Sequence, residues 1–177
     1  NAREAAHELS VPIGILIDIP GPKYRVGKIP GGSIDLKKGQ KIIIGSETDL
    51  NEKVIKLNVW PDGISKEVGK SKQIFLDDGL IKLSIDSKRG KNIYCTVLNN
   101  SNLKSNKSVT IPGSVNKLDY FTSETKNGLN FAKKVNATFV GLSFIRNSDD
   151  IKKVKKYFLK SKFRPQFICL LYTSDAA

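Results

Sequence analysis

Residues 11–27 read VPIGILIDIPGPKYRVG, an apolar run that ends at a carboxylate and a Gly-Pro turn. The run is shorter than the roughly 20 residues that cross a bilayer, so no membrane association is expected. It is bounded by turn residues, as a buried strand is. Residues 2–9 before it have a helical composition. A helix followed by a fully buried strand over residues 12–17 is typical of an α/β fold.

The composition changes after Val26, where short β-rich runs alternate with Gly, Asn and Asp turns. Several short strands at such spacing predict a small antiparallel barrel or sandwich. The runs are Lys41–Ile44, Val54–Val59, Gln73–Leu76, Ile81–Ile85 and Asn92–Leu98.

A helical pattern returns after Gly113. Thr122 is predicted to cap a helix that leads into a strand over Thr138–Leu142. A second helix follows, capped by Asn147 or Ser148. Its predicted buried stripe consists of Ile151, Val154 and Phe158.

This order predicts one discontinuous α/β domain, residues 1–25 and 109–168, interrupted by a β domain of residues 26–108. A cleft is expected where the domains join, because ligands of α/β proteins bind near the carboxyl ends of parallel strands. Residues 169–177, CLLYTSDAA, break with the Lys-rich sequence before them. We expect them to be a sequencing-adapter artefact; the alternative is a genuine strand and turn.

The chain is strongly basic, since 30 Lys and Arg against 17 Asp and Glu give 30 − 17 = +13. This predicts attraction to polyanions. A nucleic-acid-binding β module is therefore the main alternative function. We expect no nucleic-acid partner, because the basic residues are not interleaved with aromatic ones and mostly occupy helix faces. Two cysteines and no His/Cys cluster indicate a cytoplasmic protein.

Two residues near the Gly-Pro turn are candidates for chemistry. Asp18 ends the predicted strand, where it either faces a site or caps the turn before Pro20. Arg25 follows the rigid turn, and a guanidinium suits bidentate contact with phosphate. Taken alone, Arg25 has the ordinary alternative of a surface residue.

Four motifs in order resemble the pyruvate kinase family and together cover residues 10–168. IDIPGPKYRVG resembles the passage from a catalytic-barrel strand into the lid, and IFLDDGLIKLSI the lid strand pair with its DDG turn. SNKSVTIPGS resembles the return to the barrel, and FVGLSFIRNSDDI the next barrel strand. The resemblance implies a partial (β/α)8 TIM barrel interrupted by a small all-β lid. It also implies phosphoryl transfer between phosphoenolpyruvate and ADP, giving pyruvate and ATP in glycolysis.

The resemblance also implies roles for individual residues. Arg25 and Lys107 match the residues that meet the nucleotide phosphates, and Asp18 with the backbone of Ile19 matches the monovalent-cation site. Asp77 and Asp78 match lid carboxylates, although a plain hairpin turn is an equal reading for either. The remaining matched positions, at the end of the second barrel strand, are Ser143, Phe144 and Arg146.

This chain departs from the family pattern at three positions. Potassium-dependent members carry Thr and Glu where this chain has Ile19 and Lys23. Because a Lys ammonium supplies the charge of a bound potassium ion, we expect K⁺ not to be required. Ser108 replaces a common Gly, which puts the geometry near Lys107 in question.

The family's catalytic Lys and the Glu that binds magnesium are expected just after Ile168. We therefore expect the catalytic Lys and the Mg²⁺ ligands to lie outside this chain, and the fragment alone to be inactive. The resemblance implies Mg²⁺ as cofactor and a homotetramer for the complete enzyme.

Overall fold

The computed structural model describes residues 1–45, 54–114 and 117–171. The chain forms two compact units, one of Asn1–Pro22 with Asp119–Ala177 and one of Lys23–Leu118. These boundaries differ from the predicted 25/26 and 108/109. The reason is that Tyr24–Val26 and Ser108–Thr110 are strands whose partners all lie in the second unit.

The elements before the second unit are α1 (Ala2–Glu8) and β1 (Leu16–Ile19). The strands of the second unit are β2 (Tyr24–Val26), β3 (Ser33–Leu36), β4 (Lys41–Gly45), β5 (Ile55–Trp60), β6 (Gln73–Leu76), β7 (Ile81–Arg89), β8 (Asn92–Val97), β9 (Ser101–Lys104) and β10 (Ser108–Thr110), with a 3₁₀ turn at Ile64–Lys66. The elements that follow are α2 (Ser123–Lys134), β11 (Phe139–Ile145), α3 (Ser148–Phe158) and β12 (Gln166–Leu171). No helix among the described residues is long and apolar enough to cross a membrane.

The first unit is a parallel sheet in the order β1-β11-β12 with α2 and α3 packed on it. Thr122 caps α2 as predicted, its hydroxyl accepting the amide hydrogen of Thr125 at 3.2 Å. Asn147 rather than Ser148 caps α3. Val154 and Phe158 of the predicted stripe are buried and Ile151 is half-buried. The strand β12 continues through Cys169 and Leu170, so the boundary predicted at Ile168 is not a break in the structure; residues 172–177 lie outside the described residues.

The first strand differs from the prediction. It begins at Leu16 instead of Pro12, and it is not fully buried, since Leu16 is 49% exposed. The physical reason is its position: β1 pairs only with β11 and forms an edge of the described sheet. Its buried side chain is that of Ile19.

The second unit contains a closed seven-stranded barrel in the order β10-β2-β5-β4-β8-β7-β6. This confirms a small all-β barrel between the α/β segments. The predicted antiparallel barrel or sandwich is a barrel, and its pairs are antiparallel except one, because β4 and β5 run parallel. A parallel pair needs a crossover connection, and residues 46–53 of that connection lie outside the described residues. The barrel interior holds buried aliphatic side chains, among them Ile44, Leu76, Ile81, Leu83 and Ile93.

Candidate functional site

Arg25 lies on the outer face of the barrel at the centre of three adjacent strands. Its neighbours Tyr24 and Val26 are buried in the core, so the alternation of a strand directs Arg25 outward. Arg25 is opposite Trp60 of β5 on one side and Ser108 of β10 on the other. One guanidinium nitrogen donates to the Asn106 carbonyl at 3.0 Å. Since guanidinium has five N–H donors, this bond fixes its position and leaves donors for an anion.

Lys107 lies directly beside this residue. Its carbonyl accepts the amide hydrogen of Val26 at 2.8 Å, and the next residue is the strand partner of Arg25. The backbone segments that carry the two cations predicted to meet the nucleotide phosphates are therefore adjacent in the barrel. The Lys107 ammonium is 2.9 Å from a carboxylate oxygen of Asp77.

The DDG turn joins β6 to β7 as a hairpin, which was the ordinary reading of this motif. Asp77 and Asp78 are both in the left-handed region, with φ of 52° and 53°. This backbone brings both carboxylates to cations: Asp77 to Lys107, and Asp78 to Lys23 at 2.9 Å. The Lys23 hydrogen bond is the main reason that the pKa of Asp78 is lowered, with the Ser108 hydroxyl next.

Ser108 is 4% exposed and holds the turn in place. Its hydroxyl accepts the Asp78 amide hydrogen at 2.8 Å and donates to the Asp78 carboxylate at 2.7 Å. The carbonyl of Ser108 accepts the amide hydrogen of Asp77 at 3.0 Å. The residue that replaces the family's Gly thus has a defined structural role next to Lys107.

A second group of predicted residues lies in the first unit. Asp18 is inside β1 rather than at its end, opposite Gly141, and its carboxylate accepts the Ser143 hydroxyl at 2.8 Å. The Ser143 carbonyl accepts the hydroxyl of Tyr120 at 3.1 Å. Carboxylate and hydroxyl oxygens suit a hard cation, so Asp18 and Ser143 fit the chemistry of a monovalent-cation site. Ile19 is fully buried, and its proposed contribution through the backbone stays a prediction.

The Gly-Pro turn packs closely against the end of β11. A Cβ added to Gly21 would collide with the carbonyl oxygen of Ser143 and lie 2.7 Å from the Cβ of Phe144. Any side chain at position 21 would therefore separate the turn from this strand end. Phe144 is half-buried, with φ of 59°.

Arg146 has a strong structural partner in its own unit. Its Nε and one terminal nitrogen each donate to the Asp150 carboxylate at 3.1 Å, as a two-pronged pair. Asp150 is 3% exposed and lies in the first turn of α3. Sequence analysis placed Arg146 at the site and did not anticipate the burial of Asp150, although the i, i+4 spacing was a signal for this pair.

Glu67 is a further buried residue that was not among those predicted from the sequence. This buried carboxylate accepts hydrogen bonds from the Tyr24 hydroxyl at 3.3 Å, the Ser114 hydroxyl at 3.1 Å and the Lys117 amide at 3.0 Å. It thereby ties β2 to the segment after β10. A Glu between Lys66 and Val68 carries no sequence signal of burial, because its partners are far away along the chain.

Among the residues that the structure describes, no three His, Cys, Asp or Glu side chains group as a metal site. The expectation that the Mg²⁺ ligands lie outside this chain stays a prediction.

Comparison with known proteins places nearly the whole chain in one family. The family model for the pyruvate kinase barrel domain matches residues 1–170. The chain is similar to the pyruvate kinases of Trypanoplasma borreli, at 31% identity, and Bacillus licheniformis, at 32%, which cover 89% and 88% of it. It is 33% identical to that of Thermococcus litoralis over 94% of its length. The chain spans 32%, 27% and 34% of these three relatives, about a third of their length. On this evidence the chain belongs to the pyruvate kinase family.

Proposed function

We propose that this chain is part of a phosphotransferase that moves a phosphoryl group from phosphoenolpyruvate to ADP, giving pyruvate and ATP. The observation that carries the proposal is the pairing of β2, which carries Arg25, with β10, which begins directly after Lys107, in a member of the pyruvate kinase family. In phosphoryl transfer, protein groups act mainly by positioning and by neutralising charge on the phosphates. Two cations on adjacent segments of one barrel suit both tasks.

The ion pair between Lys107 and Asp77 affects how a nucleotide phosphate can bind to Lys107. A nucleotide phosphate has to replace or share the Asp77 carboxylate, whereas Arg25 offers donors that are not used by its bond to Asn106. Arg25 is therefore proposed as the first contact of the phosphates, and Lys107 as the second.

The other groups that the reaction needs are proposed to belong to the rest of the enzyme. The first unit is proposed to be a portion of a (β/α)8 barrel, completed in a homotetrameric enzyme. Mg²⁺, when bound, would neutralise phosphate charge, and both its ligands and the catalytic Lys are proposed to lie outside this chain. We therefore expect the 177-residue chain alone to bind nucleotide without transferring the phosphoryl group.

The phosphate site is tested by titrating ADP, and separately inorganic tripolyphosphate, into the chain by isothermal titration calorimetry. Arg25→Ala is expected to weaken both by about tenfold or more, because a hydrogen bond to a charged group contributes about 1.5–3 kcal/mol. Arg89→Ala, which removes an exposed arginine from β7 of the same barrel, is the matched control and should change neither affinity. Equal losses in the two variants would mean that only net charge matters. Retention of the chain on single-stranded nucleic acid at physiological ionic strength would favour the alternative function.

We also propose that the enzyme needs no potassium. The Lys23 side chain is 18% exposed and its ammonium is 2.9 Å from a carboxylate oxygen of Asp78, so an ion pair fixes the position of this cationic group.

The potassium proposal is tested in an active enzyme that carries residues 1–170 of this chain. Activity is expected to persist when potassium is replaced by tetramethylammonium. Lys23→Glu should make activity depend on added potassium by about tenfold, the factor given by about 1.4 kcal/mol of charge stabilisation. Lys28→Glu, at an exposed position of the same unit, should not. Full activity of the unsubstituted enzyme only with added potassium would reject the proposal.

A further inference from the structure

A basic groove runs between α2 and α3 of the first unit, and we call it the α2–α3 groove. It holds two depressions, of about 260 and about 490 Å³, which adjoin because Tyr157 lines both. Side chains three or four residues apart share a helix face, so each helix contributes one stripe to the groove. Five lysines against one aspartate give it a net charge of 5 − 1 = +4; these residues are Lys126, Lys133, Lys153, Lys156, Lys160 and Asp119.

Little of this charge is neutralised within the part of the chain that the structure describes. Asp119 is 3.4 Å from Lys153, and both side chains are more than half exposed. The side chains of Lys133, Lys156 and Lys160 make no hydrogen bond or ion pair with a described residue. A charged stripe on a convex helix face is ordinarily just solvated. Here the lysines surround two depressions, and a concave site of one charge sign concentrates its field on groups of the opposite sign.

The lysines form two clusters along the groove. Lys126 and Lys153 line the larger depression, and Lys133 and Lys160 line the smaller one. On each helix the second lysine follows the first by seven residues, which corresponds to about 10 Å along the axis. In an extended polyproline II segment, side chains three residues apart lie on one side and are about 9 Å apart. Acidic side chains at every third residue of such a segment therefore match the two clusters.

The floor of the groove is aromatic and polar. The Tyr157 ring makes T-shaped contacts with Phe121 and Phe158, at 5.4 and 5.6 Å between ring centroids. The Lys126 ammonium lies 5.4 Å from the centroid of the Phe121 ring. These contacts occupy ring surface on which a nucleobase would have to stack. The Tyr157 hydroxyl donates to the side-chain carbonyl of Asn130 at 2.9 Å, which leaves the amide donors of Asn130 for a peptide carbonyl.

We propose that the α2–α3 groove is a docking site for an extended acidic segment of a partner protein, with carboxylates at every third residue. All five cations are lysines, which lack the planar fork that Arg uses on phosphate, so the groove suits carboxylates better than a nucleic acid backbone. The proposal does not depend on the proposed function. The groove belongs to the first unit, whereas Arg25 and Lys107 belong to the second.

The test measures fluorescence anisotropy of a fluorescein-labelled peptide of repeated Glu-Pro-Pro triplets, titrated with the 177-residue chain. Lys133→Glu/Lys156→Glu changes one lysine of each depression and should weaken binding by about tenfold or more. Lys134→Glu/Lys155→Glu is the matched control. It makes the same change of charge at the neighbouring positions of the same two helices, which are exposed and do not line the groove. We expect it to weaken binding by less than about threefold, the part that net charge alone contributes.

Two further measurements keep the test independent of folding and of peptide charge. Lys133→Gln/Lys156→Gln removes the two charges without adding acidic ones and should weaken binding by about threefold, with the helix content by circular dichroism unchanged. A peptide of the same composition with its glutamates in one block should bind more weakly than the triplet peptide, because it cannot place carboxylates in both clusters.

Four results would overturn the proposal. Equal losses in the two Lys→Glu double variants would mean that only net charge attracts the peptide, and equal binding of the block peptide would remove the argument from spacing. Tighter binding of oligothymidylate than of the triplet peptide, lost in Lys133→Glu/Lys156→Glu, would assign the groove to nucleic acid. Binding to the 177-residue chain but not to an active enzyme that carries residues 1–170 would mean that the rest of the enzyme covers the groove.

Discussion

Glu67→Ala is expected to lower the free energy of unfolding of the barrel unit by about 3 kcal/mol, because it removes the acceptor of three hydrogen bonds at once. The hydroxyl of Tyr24 is affected most, since Tyr24 is only 5% exposed. The Ser114 hydroxyl and the Lys117 amide lose the same partner. The connection between β2 and the segment after β10 is thereby broken.

Urea denaturation followed by Trp60 fluorescence measures this effect, because the only tryptophan lies in the barrel unit. With a slope of about 1–1.5 kcal/mol per molar urea, the midpoint should fall by about 2 M or more. Glu67→Gln keeps an acceptor oxygen and should lose about 1 kcal/mol. Asp35→Ala removes an exposed carboxylate from β3 and should lose less than about 0.5 kcal/mol. Equal midpoints for Glu67→Ala and Asp35→Ala would contradict the role of Glu67.

The contact between Tyr24 and Glu67 also makes the stability of the barrel depend on pH in the alkaline range. Burial, and then the Glu67 carboxylate, raise the pKa of Tyr24 above its ordinary value of 10.0. A raised pKa in the folded state means that this stability is fully present below pH 10.0 and is lost as the pH rises beyond it. In Tyr24→Phe, the free energy of unfolding should depend less on pH in this alkaline range. The variant also loses one hydrogen bond.

The β-rich pattern predicted most of the barrel, because alternation and turn residues are local signals. The runs at Gln73–Leu76 and Ile81–Ile85 appear as β6 and the first part of β7, joined by the DDG turn. The parallel pairing of β4 with β5 was not predictable, since neither strand's own sequence records its direction relative to the other. Short strands such as β2 and β10 escaped detection because three residues are too few to show a period.

The sequence predicted which residues belong to the candidate site, but it did not predict which of them contact each other. Arg25 and Lys107 came from motif resemblance, and they are brought close by the pairing of β2 with β10, two strands that are far apart in sequence. The pairing of Asp77 and Asp78 with two lysines depends on two consecutive left-handed residues, a conformation that a DDG sequence permits without requiring. Trp60 looked isolated in sequence because its partner, Arg25, lies on another strand.

Arg146→Ala is expected to destabilise the first unit by about 3–5 kcal/mol, because it leaves the buried Asp150 carboxylate without its guanidinium. Asp150 is 3% exposed, and both of its oxygens accept from Arg146. The same helix offers a matched control in Lys152 and Asp149, an ion pair whose two side chains are each 74% exposed. Lys152→Ala should cost less than about 1 kcal/mol.

Helix ellipticity at 222 nm is the appropriate readout, because α1, α2 and α3 all belong to the first unit. The double variant Arg146→Ala/Asp150→Ala should lose less unfolding free energy than the sum of the two single variants, by at least about 1 kcal/mol. The reason is that it removes the buried carboxylate together with its ion-pair partner. Additive losses would mean that the two side chains do not depend on each other. A coupled loss with unchanged ADP affinity would identify Arg146 as a residue that anchors α3 to the end of β11, and would leave phosphate binding to Arg25 and Lys107.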